Sequence, residues 1–196
     1  MTDVLILGAN GQIARFATEL FLERPDVRLT LYLRNSRRLK NPDASRVQIV
    51  EGDVLDFDTL KAATAGQGIV YANLSGEMER QAMNIVKAMH ETGVRRLIFI
   101  SAMGIYGEVR GETYRSVLDP YRKSAEIIES SDLDYTIIRP EWLNNRDEVS
   151  YGTTQKGEAF KNASAVLSRK SVADLVVRLA TTPGLEIRHS LGVHKE

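Results

Sequence analysis

Short apolar segments alternate with amphipathic segments along most of the chain, and this alternation predicts the fold. Six segments have the length and composition of buried strands. Several of them are apolar at successive positions, as in a parallel sheet that helices cover on both faces. The six predicted strands are residues 4–7, 28–33, 47–51, 69–72, 97–100 and 135–139.

Amphipathic helices are predicted between these strands. In the first, residues 13–22, apolar side chains recur at the i, i+3, i+4, i+7 spacing of a stripe that faces a core, and Pro25 follows its end. Further helices are predicted over 57–65, with Asp56 as N-cap, and over 77–92, 119–130 and 172–181. Repeated strand–helix–strand units imply right-handed crossovers. We therefore expect an α/β fold, a Rossmann-like doubly wound parallel sheet with helices on both faces.

The chain is expected to form one domain over residues 1–196, because it contains no internal repeat and no long linker rich in Pro, Gly or Ser. The segment 144–165 differs from the rest, since it is polar and weakly periodic. We predict that this segment is irregular, lies over the top of the sheet and covers a substrate.

Composition narrows the range of functions. The 26 Lys and Arg residues balance 26 Asp and Glu residues, whereas a general nucleic-acid or membrane-surface binder needs a basic excess. Cysteine is absent, so disulfides, thiolate metal sites and a cysteine nucleophile are excluded, and redox chemistry would require a bound cofactor. His90, His189 and His194 lack metal-ligand spacing, and no metal site is predicted. No apolar run approaches 18 residues, and a cytoplasmic protein is expected.

A glycine-rich loop follows the first strand directly. Residues 8–14 have the spacing G-x-x-G-x-x-A. Gly8 permits a tight turn, Gly11 lets the backbone approach a pyrophosphate, and Ala14 allows close helix packing, while free N–H groups at the helix start meet the anion. An ordinary strand–helix turn is the alternative. The strand before the loop and the βαβ unit after it favour dinucleotide binding.

The residue after the second strand distinguishes two dinucleotides. An NAD site usually places Asp or Glu there to bind the ribose 2′-hydroxyl, whereas this chain has Arg34, with Arg37 nearby. Their guanidinium groups can donate paired hydrogen bonds to a 2′-phosphate. A solvated basic loop is the alternative, but the position favours NADP(H) over NAD(H).

Two further loops meet the same edge of the sheet. Asp53 could accept a hydrogen bond from the adenine amino group while Val54 packs on the ring; a turn or helix-cap aspartate is an equally good interpretation. Leu74 and Ser75 follow the fourth strand, and we expect them beside the nicotinamide ribose and the pyrophosphate.

These motifs and three later ones resemble the atypical short-chain dehydrogenase/reductases, and within them the NmrA-like and biliverdin-IXβ or flavin-reductase branch. The matching segments span nearly the whole chain in order: residues 8–12, 31–39, 50–54, 93–102, 133–140 and 167–174. The resemblance implies an NADP-binding Rossmann-like domain. Many such relatives reduce flavins, tetrapyrroles or quinones, and others are redox sensors without known turnover.

Transferred residue by residue, the resemblance implies which side chains meet the cofactor. For the adenine half and the pyrophosphate it implies Asn10, Gln12, Ile13, Arg34, Asp53 and Val54. For the nicotinamide half it implies Ser101 near the ring and the substrate, Lys123 on the ribose hydroxyls, and Pro140 and Glu141 beside the nicotinamide.

The chain departs from this family at the position of its usual acid. Standard members use Tyr-x-x-x-Lys, whose side chains share a helix face, but the residue four before Lys123 is Asp119. Tyr121 lies about 200° around the helix from Lys123, so both cannot face one ligand. Tyr106 is a weak alternative acid, and Glu141 stands where some flavin-reductase relatives have a histidine.

The leading hypothesis is an NADPH-dependent reductase of a flat conjugated acceptor such as a flavin or quinone, because hydride transfer to such a ring needs few side chains. Ser101, Lys123 and Glu141 are its candidate catalytic residues. Ser101 could instead cap local backbone, and Glu141 could be solvated, although burial would raise its pKa. Trp142 could stack on a substrate or pack under residues 144–165.

The alternative hypothesis is a non-catalytic NADP(H)-binding redox sensor of NmrA type. Sugar-nucleotide chemistry is disfavoured, because the chain is short and lacks the substrate lobe of extended relatives. A small-molecule acceptor is the expected partner, with neither nucleic acid nor membrane, and a homodimer is left open.

Overall fold

The computed structural model describes residues 1–39 and 43–196. Strands and helices alternate along most of this part of the chain. The strands are β1 (Thr2–Leu7), β2 (Val27–Leu33), β3 (Val47–Glu51), β4 (Ile69–Ala72), β5 (Arg96–Ile100), β6 (Asp134–Pro140), β7 (Trp142–Asn144), β8 (Gly152–Gln155), β9 (Val166–Ser168) and β10 (His189–His194). The α-helices are α1 (Gln12–Leu22), α2 (Phe57–Thr64), α3 (Met78–Thr92), α4 (Asp119–Glu129) and α5 (Arg169–Thr181).

Eight strands form one sheet in the order β3-β2-β1-β4-β5-β6-β10-β8. All neighbouring strands are parallel except β10 and β8, which are antiparallel. The chain builds outward in one direction from β1 and in the other from β4, so the strand order reverses between these two strands. The remaining strands, β7 and β9, form a short parallel pair. The predicted doubly wound α/β fold is confirmed.

Helices cover both faces of the sheet, and successive residues of β1 show how. Val4 and Ile6 are buried in a core shared with α1 and α5, whereas Leu5 and Leu7 are buried in a second core shared with α2, α3 and α4. Since both faces of the strand are covered, polar alternation is absent, which is why the strands read as continuous apolar runs.

The six predicted strands and five predicted helices are all present, with ends that agree within three residues. Asp56 caps α2, because its side chain accepts hydrogen bonds from the backbone N–H and the hydroxyl of Thr59. Helix α5 begins three residues earlier than predicted, since Ser168 Oγ caps it by accepting from Ser171 N at 2.9 Å. Across residues 1–39 and 43–196, no helix combines the length and apolarity needed to cross a membrane.

Most of the segment 144–165 contains neither helix nor strand, but residues Gly152–Gln155 form β8, which joins the main sheet. Thr154 of β8 lies opposite Gly192 of β10. A Cβ on residue 192 would lie 2.4 Å from Thr154 Oγ1 and 2.8 Å from the ring of Phe160, so this segment packs tightly against β10. It therefore completes one edge of the sheet. Neither β8 nor its partner β10 was among the predicted strands.

Candidate functional site

The carboxyl ends of β1, β2, β3 and β4 surround a cleft where the strand order reverses. Doubly wound sheets bind ligands at such points, because the loops on either side diverge and leave a crevice. The cleft has a volume of about 280 Å³ and is lined by Gly8, Asn10, Gly11, Tyr32, Leu33, Arg34, Asn35, Gly52, Asp53, Val54, Asn73, Leu74, Ser75 and Gln81. Eight of the predicted cofactor-binding residues are among these.

The glycine loop forms the floor of this cleft. Gly8 has a φ of +76°, a conformation that residues with a Cβ rarely adopt. Its N–H donates to the carbonyl of Tyr32 at 3.0 Å, and Gly11 N donates to the carbonyl of Gly8 at 2.8 Å, which closes the turn. A Cβ on residue 11 would lie 2.2 Å from Asn73 Nδ2. The loop is therefore pressed against the segment that follows β4.

Helix α1 starts at this loop, and no capping or acidic side chain of the helix start occupies its first N–H groups. Its N-cap is Gly11, which offers no side-chain hydrogen bond, and its first turn contains no acidic residue. Unpaired N–H groups and the helix dipole therefore favour a phosphate at this end. Asn10 Oδ1 accepts from Arg15 at 2.6 Å. Gln12 is exposed, whereas the Ile13 side chain is 6% exposed and packs in the core, so only the backbone of residue 13 is available to a pyrophosphate.

Arg34 is exposed at the rim of the cleft, directly after β2. The next residue, Asn35, lines the cleft and accepts a hydrogen bond from Arg37 N at 3.1 Å, which starts a short 3₁₀ turn. Arg37 is exposed on that turn but does not line the cleft. The structure thus brings Arg34 to the rim of the cleft and leaves Arg37 on the adjacent surface.

Asp53 and Val54 form the wall after β3. Asp53 Oδ1 accepts from Leu55 N at 2.9 Å, which is the turn role that the sequence left open. The side chain of Val54 is almost completely buried, and the hydroxyl of Tyr32 donates to the carbonyl of Asp53 at 2.9 Å. Burial, with smaller contributions from Asp56 and Asp53, raises the pKa of Tyr32 to about 12, so this hydroxyl stays protonated as a donor. Because Gly52 N also bonds to the carbonyl of Leu33, the wall is rigidly tied to β2.

The loop after β4 forms the opposite wall. Asn73 N donates to the carbonyl of Leu7 at 2.9 Å, and the side-chain amide of Gln81 on α3 donates to the carbonyl of Ser75 at 3.1 Å. Leu74 and Ser75 therefore reach the cleft from a fixed backbone. Sequence analysis did not predict Gln81, because a glutamine inside a helical stripe gives no signal of a contact to a preceding loop.

The candidate residues for the nicotinamide half lie one and two strands further along the same edge. Ser101 follows β5 and is 4% exposed, and its N–H donates to the carbonyl of Ile138 at 2.7 Å. Among the described residues its Oγ has no hydrogen-bond partner, so it does not cap local backbone. Met103 N donates to the carbonyl of Pro140 at 3.2 Å, which ties the loop after β5 to the end of β6.

Glu141 is buried, although most glutamate side chains are exposed to solvent. Its side chain is 3% exposed, and its Oε1 accepts from Lys195 N at 2.7 Å. Burial raises its pKa, while the hydrogen bond from Lys195 N and the charges of His194 and Lys195 act in the opposite direction. Within the described part of the chain, Oε2 has no hydrogen-bond partner. The burial was not predictable because it depends on β10, which pairs with β6 here.

Lys123 lies outside the dinucleotide cleft. It is exposed on α4, its Nζ is 3.2 Å from Glu79 Oε2, and it lines a neighbouring depression at the start of α3. Asp119, which replaces the usual tyrosine, accepts hydrogen bonds from Tyr114 at 2.6 Å and Arg122 at 2.8 Å. Tyr121 packs against the apolar core, so it does not share the face of Lys123.

Tyr106 is unsuitable as the alternative acid. Its hydroxyl donates to Glu129 Oε1 at 2.7 Å and lies 3.2 Å from Ser190 Oγ. Neither Tyr106 nor these two partners are among the residues that line the cleft. The pKa of the Tyr106 hydroxyl is raised above its usual value, and burial is the main cause.

Comparison with known proteins agrees with this geometry. The sequence model of a family described as NAD(P)H-binding matches residues 8–183. A Rossmann-fold NAD(P)-binding family protein from Shigella flexneri is 39% identical, with a TM-score of 0.88 over 100% of this chain and 94% of that chain. A short-chain dehydrogenase/reductase from Veillonella parvula DSM 2008 in complex with NADP is 28% identical, with a TM-score of 0.89 over 99% of this chain and 94% of that chain.

One curated relative is also similar over most of its length. The Bacillus subtilis (strain 168) protein called "uncharacterized sugar epimerase YhfK" is 27% identical over 191 residues, which cover 89% of this chain and 86% of that protein. These similarities extend across the glycine loop and the main sheet, so they concern the whole nucleotide-binding fold rather than a single motif.

Proposed function

The chain belongs to the NAD(P)H-binding family, and from that premise we propose that it is a reductase that passes hydride from NADPH to a flat conjugated acceptor such as a flavin or quinone. The main observation behind the proposal is the cleft between β1 and β4, where the strand order of the sheet reverses. It combines an uncapped helix start for the pyrophosphate with Arg34 at the end of β2. An arginine at this position favours a 2′-phosphate over a free 2′-hydroxyl.

The residues of the cleft fit such a dinucleotide. The backbone of the glycine loop and the first N–H groups of α1 would hold the pyrophosphate, and Arg34 would pair with the 2′-phosphate, with Arg37 adding a second positive charge nearby. Asp53 and Val54 would border the adenine, and Leu74 and Ser75 the nicotinamide ribose. The bound nicotinamide supplies the hydride, and the protein's contribution is to position two rings and exclude water.

Reduction of a flavin or quinone also requires a proton. Glu141 is our candidate donor, because it is buried at the carboxyl end of β6 and its raised pKa keeps more of it protonated near neutral pH than an exposed glutamate. Ser101, with its free Oγ at the end of the adjacent strand, would orient the carboxamide or the acceptor. Lys123 would reach the ribose hydroxyls only after leaving Glu79.

Sugar-nucleotide oxidation fits these side chains less well, although one relative is called a sugar epimerase. Oxidation of an alcohol needs a proton acceptor at the hydroxyl group. At the tyrosine position of Tyr-x-x-x-Lys this chain has Asp119, which is held by Tyr114 and Arg122. Hydride transfer to a conjugated ring has no such requirement.

The test is NADPH oxidation by the purified protein with FMN, riboflavin and a panel of small quinones, with NADH in parallel. We expect turnover above the uncatalysed rate and a preference for NADPH. Tight NADPH binding without turnover would instead support the redox-sensor alternative. If the protein neither binds NADPH nor oxidises it, both functions are contradicted.

A further inference from the structure

The chain's single tryptophan is exposed beside the candidate nicotinamide site. Trp142 begins β7, two residues after Pro140 ends β6, and its side chain is 54% exposed. In the pairing of β7 with β9, Trp142 lies opposite Val166, which is 43% exposed. The next pair, Leu143 and Leu167, packs against the core. Alternation along the strands therefore turns Trp142 and Val166 outward together.

A cation covers part of this tryptophan. The guanidinium of Arg115 lies 6.0 Å from the centroid of the Trp142 ring, at the outer limit of a cation–π contact. Arg115 comes from the long loop between β5 and α4. The loop backbone is fixed there, since the Arg115 carbonyl accepts from Leu118 N at 3.0 Å and from the Arg122 side chain at 3.1 Å. Within residues 1–39 and 43–196, the Arg115 guanidinium forms no ion pair with a carboxylate.

The position of this pair follows the order of sites along the sheet edge. The candidate adenine residues lie after β2 and β3, the pyrophosphate loop after β1, and the candidate nicotinamide residues after β4 and β5 and at the end of β6. Strand β6 is the next neighbour of β5, about 4.8 Å further along the sheet. Trp142, just beyond β6, therefore lies on the side of the nicotinamide opposite to the adenine.

We propose that Trp142 and Arg115 form the binding platform of the acceptor and select planar acceptors that carry an anionic group. The indole face stacks on the conjugated ring, and the unpaired guanidinium of Arg115 binds a phosphate, sulfonate or carboxylate substituent. This inference rests on the proposed reductase function and adds the charge of the substrate to it. A neutral ring would gain the stacking contact alone.

Fluorescence of the single tryptophan tests the platform directly, without any need for turnover. The protein, with saturating NADP⁺, is titrated with two matched pairs: FMN against riboflavin, and 1,4-naphthoquinone-2-sulfonate against 1,4-naphthoquinone. N-acetyltryptophanamide is titrated in parallel to correct for absorbance by the probes. We expect quenching by all four probes, with about fivefold tighter binding of each anionic member, as for a partly exposed charge contact.

Two variants separate the roles of the two side chains. Arg115→Gln should remove the preference for the anionic members and leave the affinity for riboflavin unchanged. Arg110→Gln, which removes an exposed arginine from the same loop, should retain the preference. Trp142→Leu should weaken binding of all four probes by at least about fivefold, measured by calorimetry because the fluorophore is lost.

The outcomes also distinguish this inference from the function on which it rests. Quenching with anion preference but without NADPH oxidation would support the platform and contradict the reductase. If the protein oxidises NADPH with some of these acceptors, but none of those acceptors quenches the tryptophan fluorescence, the reductase is supported and the platform is overturned. Equal affinity for both members of each pair, or equal effects of Arg115→Gln and Arg110→Gln, would overturn the role of Arg115.

Discussion

The carbonyl oxygen of Asn73 lies so close to Gly8 that a Cβ atom on residue 8 would be 2.2 Å from it. This contact joins the loop after β1 to the loop after β4, the two strands between which the sheet order reverses. Gly8 is therefore required for two independent reasons, its φ of +76° and the nearby backbone. The floor of the candidate cofactor cleft depends on both.

Gly8→Ala should destabilise the fold and abolish tight NADPH binding. The positive φ alone costs about 1–2 kcal/mol in an alanine, and the clash with backbone raises the total to about 3 kcal/mol or more. Gly66→Ala is a matched control, because Gly66 has a φ of +79° with no atom within 4 Å of a built Cβ. Chemical denaturation measures both variants, and calorimetry measures NADPH affinity.

We expect Gly66→Ala to show only the smaller cost and full NADPH affinity. Equal losses of stability in the two variants would mean that the backbone at Asn73 moves away from a Cβ on residue 8 at no cost in free energy. In that case the close approach would not explain the glycine at position 8.

Arg34→Ala should reduce the ratio of NADPH affinity to NADH affinity about tenfold. Loss of a charge-assisted contact to the 2′-phosphate corresponds to about 1.4 kcal/mol at this exposed position, and NADH lacks that phosphate. The measurement is the ratio of dissociation constants for the two reduced dinucleotides at fixed ionic strength.

Arg24→Ala provides the control for a general loss of positive charge. Arg24 is exposed just after the carboxyl end of α1, at the opposite edge of the sheet from the cleft. Its substitution should leave the preference unchanged. An unchanged ratio in Arg34→Ala would show that the 2′-phosphate is bound elsewhere.

Local sequence signals predicted most of the residues that line the cleft, because these residues follow strands directly. Gly8 and Arg34 each occupy the first position after an apolar run, so the topology of a doubly wound sheet brings them to one edge. In doubly wound folds, recognition of phosphate and ribose at this edge depends on the backbone and on residue type, both of which can be read from a sequence.

The other half depends on pairings between residues distant in sequence. Burial of Glu141 requires β10, where Glu141 N bonds to Val193 O. Strand β10 contains Ser190, Gly192 and His194 on one face, a polar pattern that does not indicate a buried strand. The side chains of Tyr106 and Phe160 contact that face, and no local periodicity reveals these contacts.

Glu141 should make the protein less stable as pH rises from acid to neutral. Burial raises the folded-state pKa of Glu141 above its usual value of about 4.5. Between the unfolded and the folded pKa, the folded state holds more protons, so the free energy of unfolding falls with increasing pH. Below the unfolded pKa both states are protonated and this cost disappears.

Denaturation of the wild type and of Glu141→Gln between pH 4 and pH 8 measures the effect. The stability of the variant relative to the wild type should increase through this window and then become constant above the folded pKa. Glu126→Gln, at an exposed position on α4, should show no such trend. If Glu141 is also the proton donor, Glu141→Gln should lower kcat and flatten its pH profile, whereas parallel profiles would contradict that role.

A buried ion pair holds the loop that carries Ser101 and Arg115. The guanidinium of Arg139 is fully buried and pairs with Glu108, whose side chain is 4% exposed. Glu108 also accepts from Gly104 N at 3.0 Å and from Tyr106 N at 2.9 Å, so one carboxylate satisfies both the loop backbone and the buried arginine.

Glu108→Gln should destabilise the protein by about 3 kcal/mol, because it leaves the Arg139 charge buried without a counterion. The amide oxygen also accepts from only one of the two backbone N–H groups, so the amide NH2 faces the other N–H without an acceptor. Glu77→Gln breaks the exposed pair with Arg80 and should cost less than about 1 kcal/mol. Urea denaturation compares the two variants. The double variant Glu108→Gln/Arg139→Met, which removes both charges, should recover part of the loss. A cost for Glu108→Gln as small as that of Glu77→Gln would show that water reaches Arg139 and that the loop does not depend on this pair.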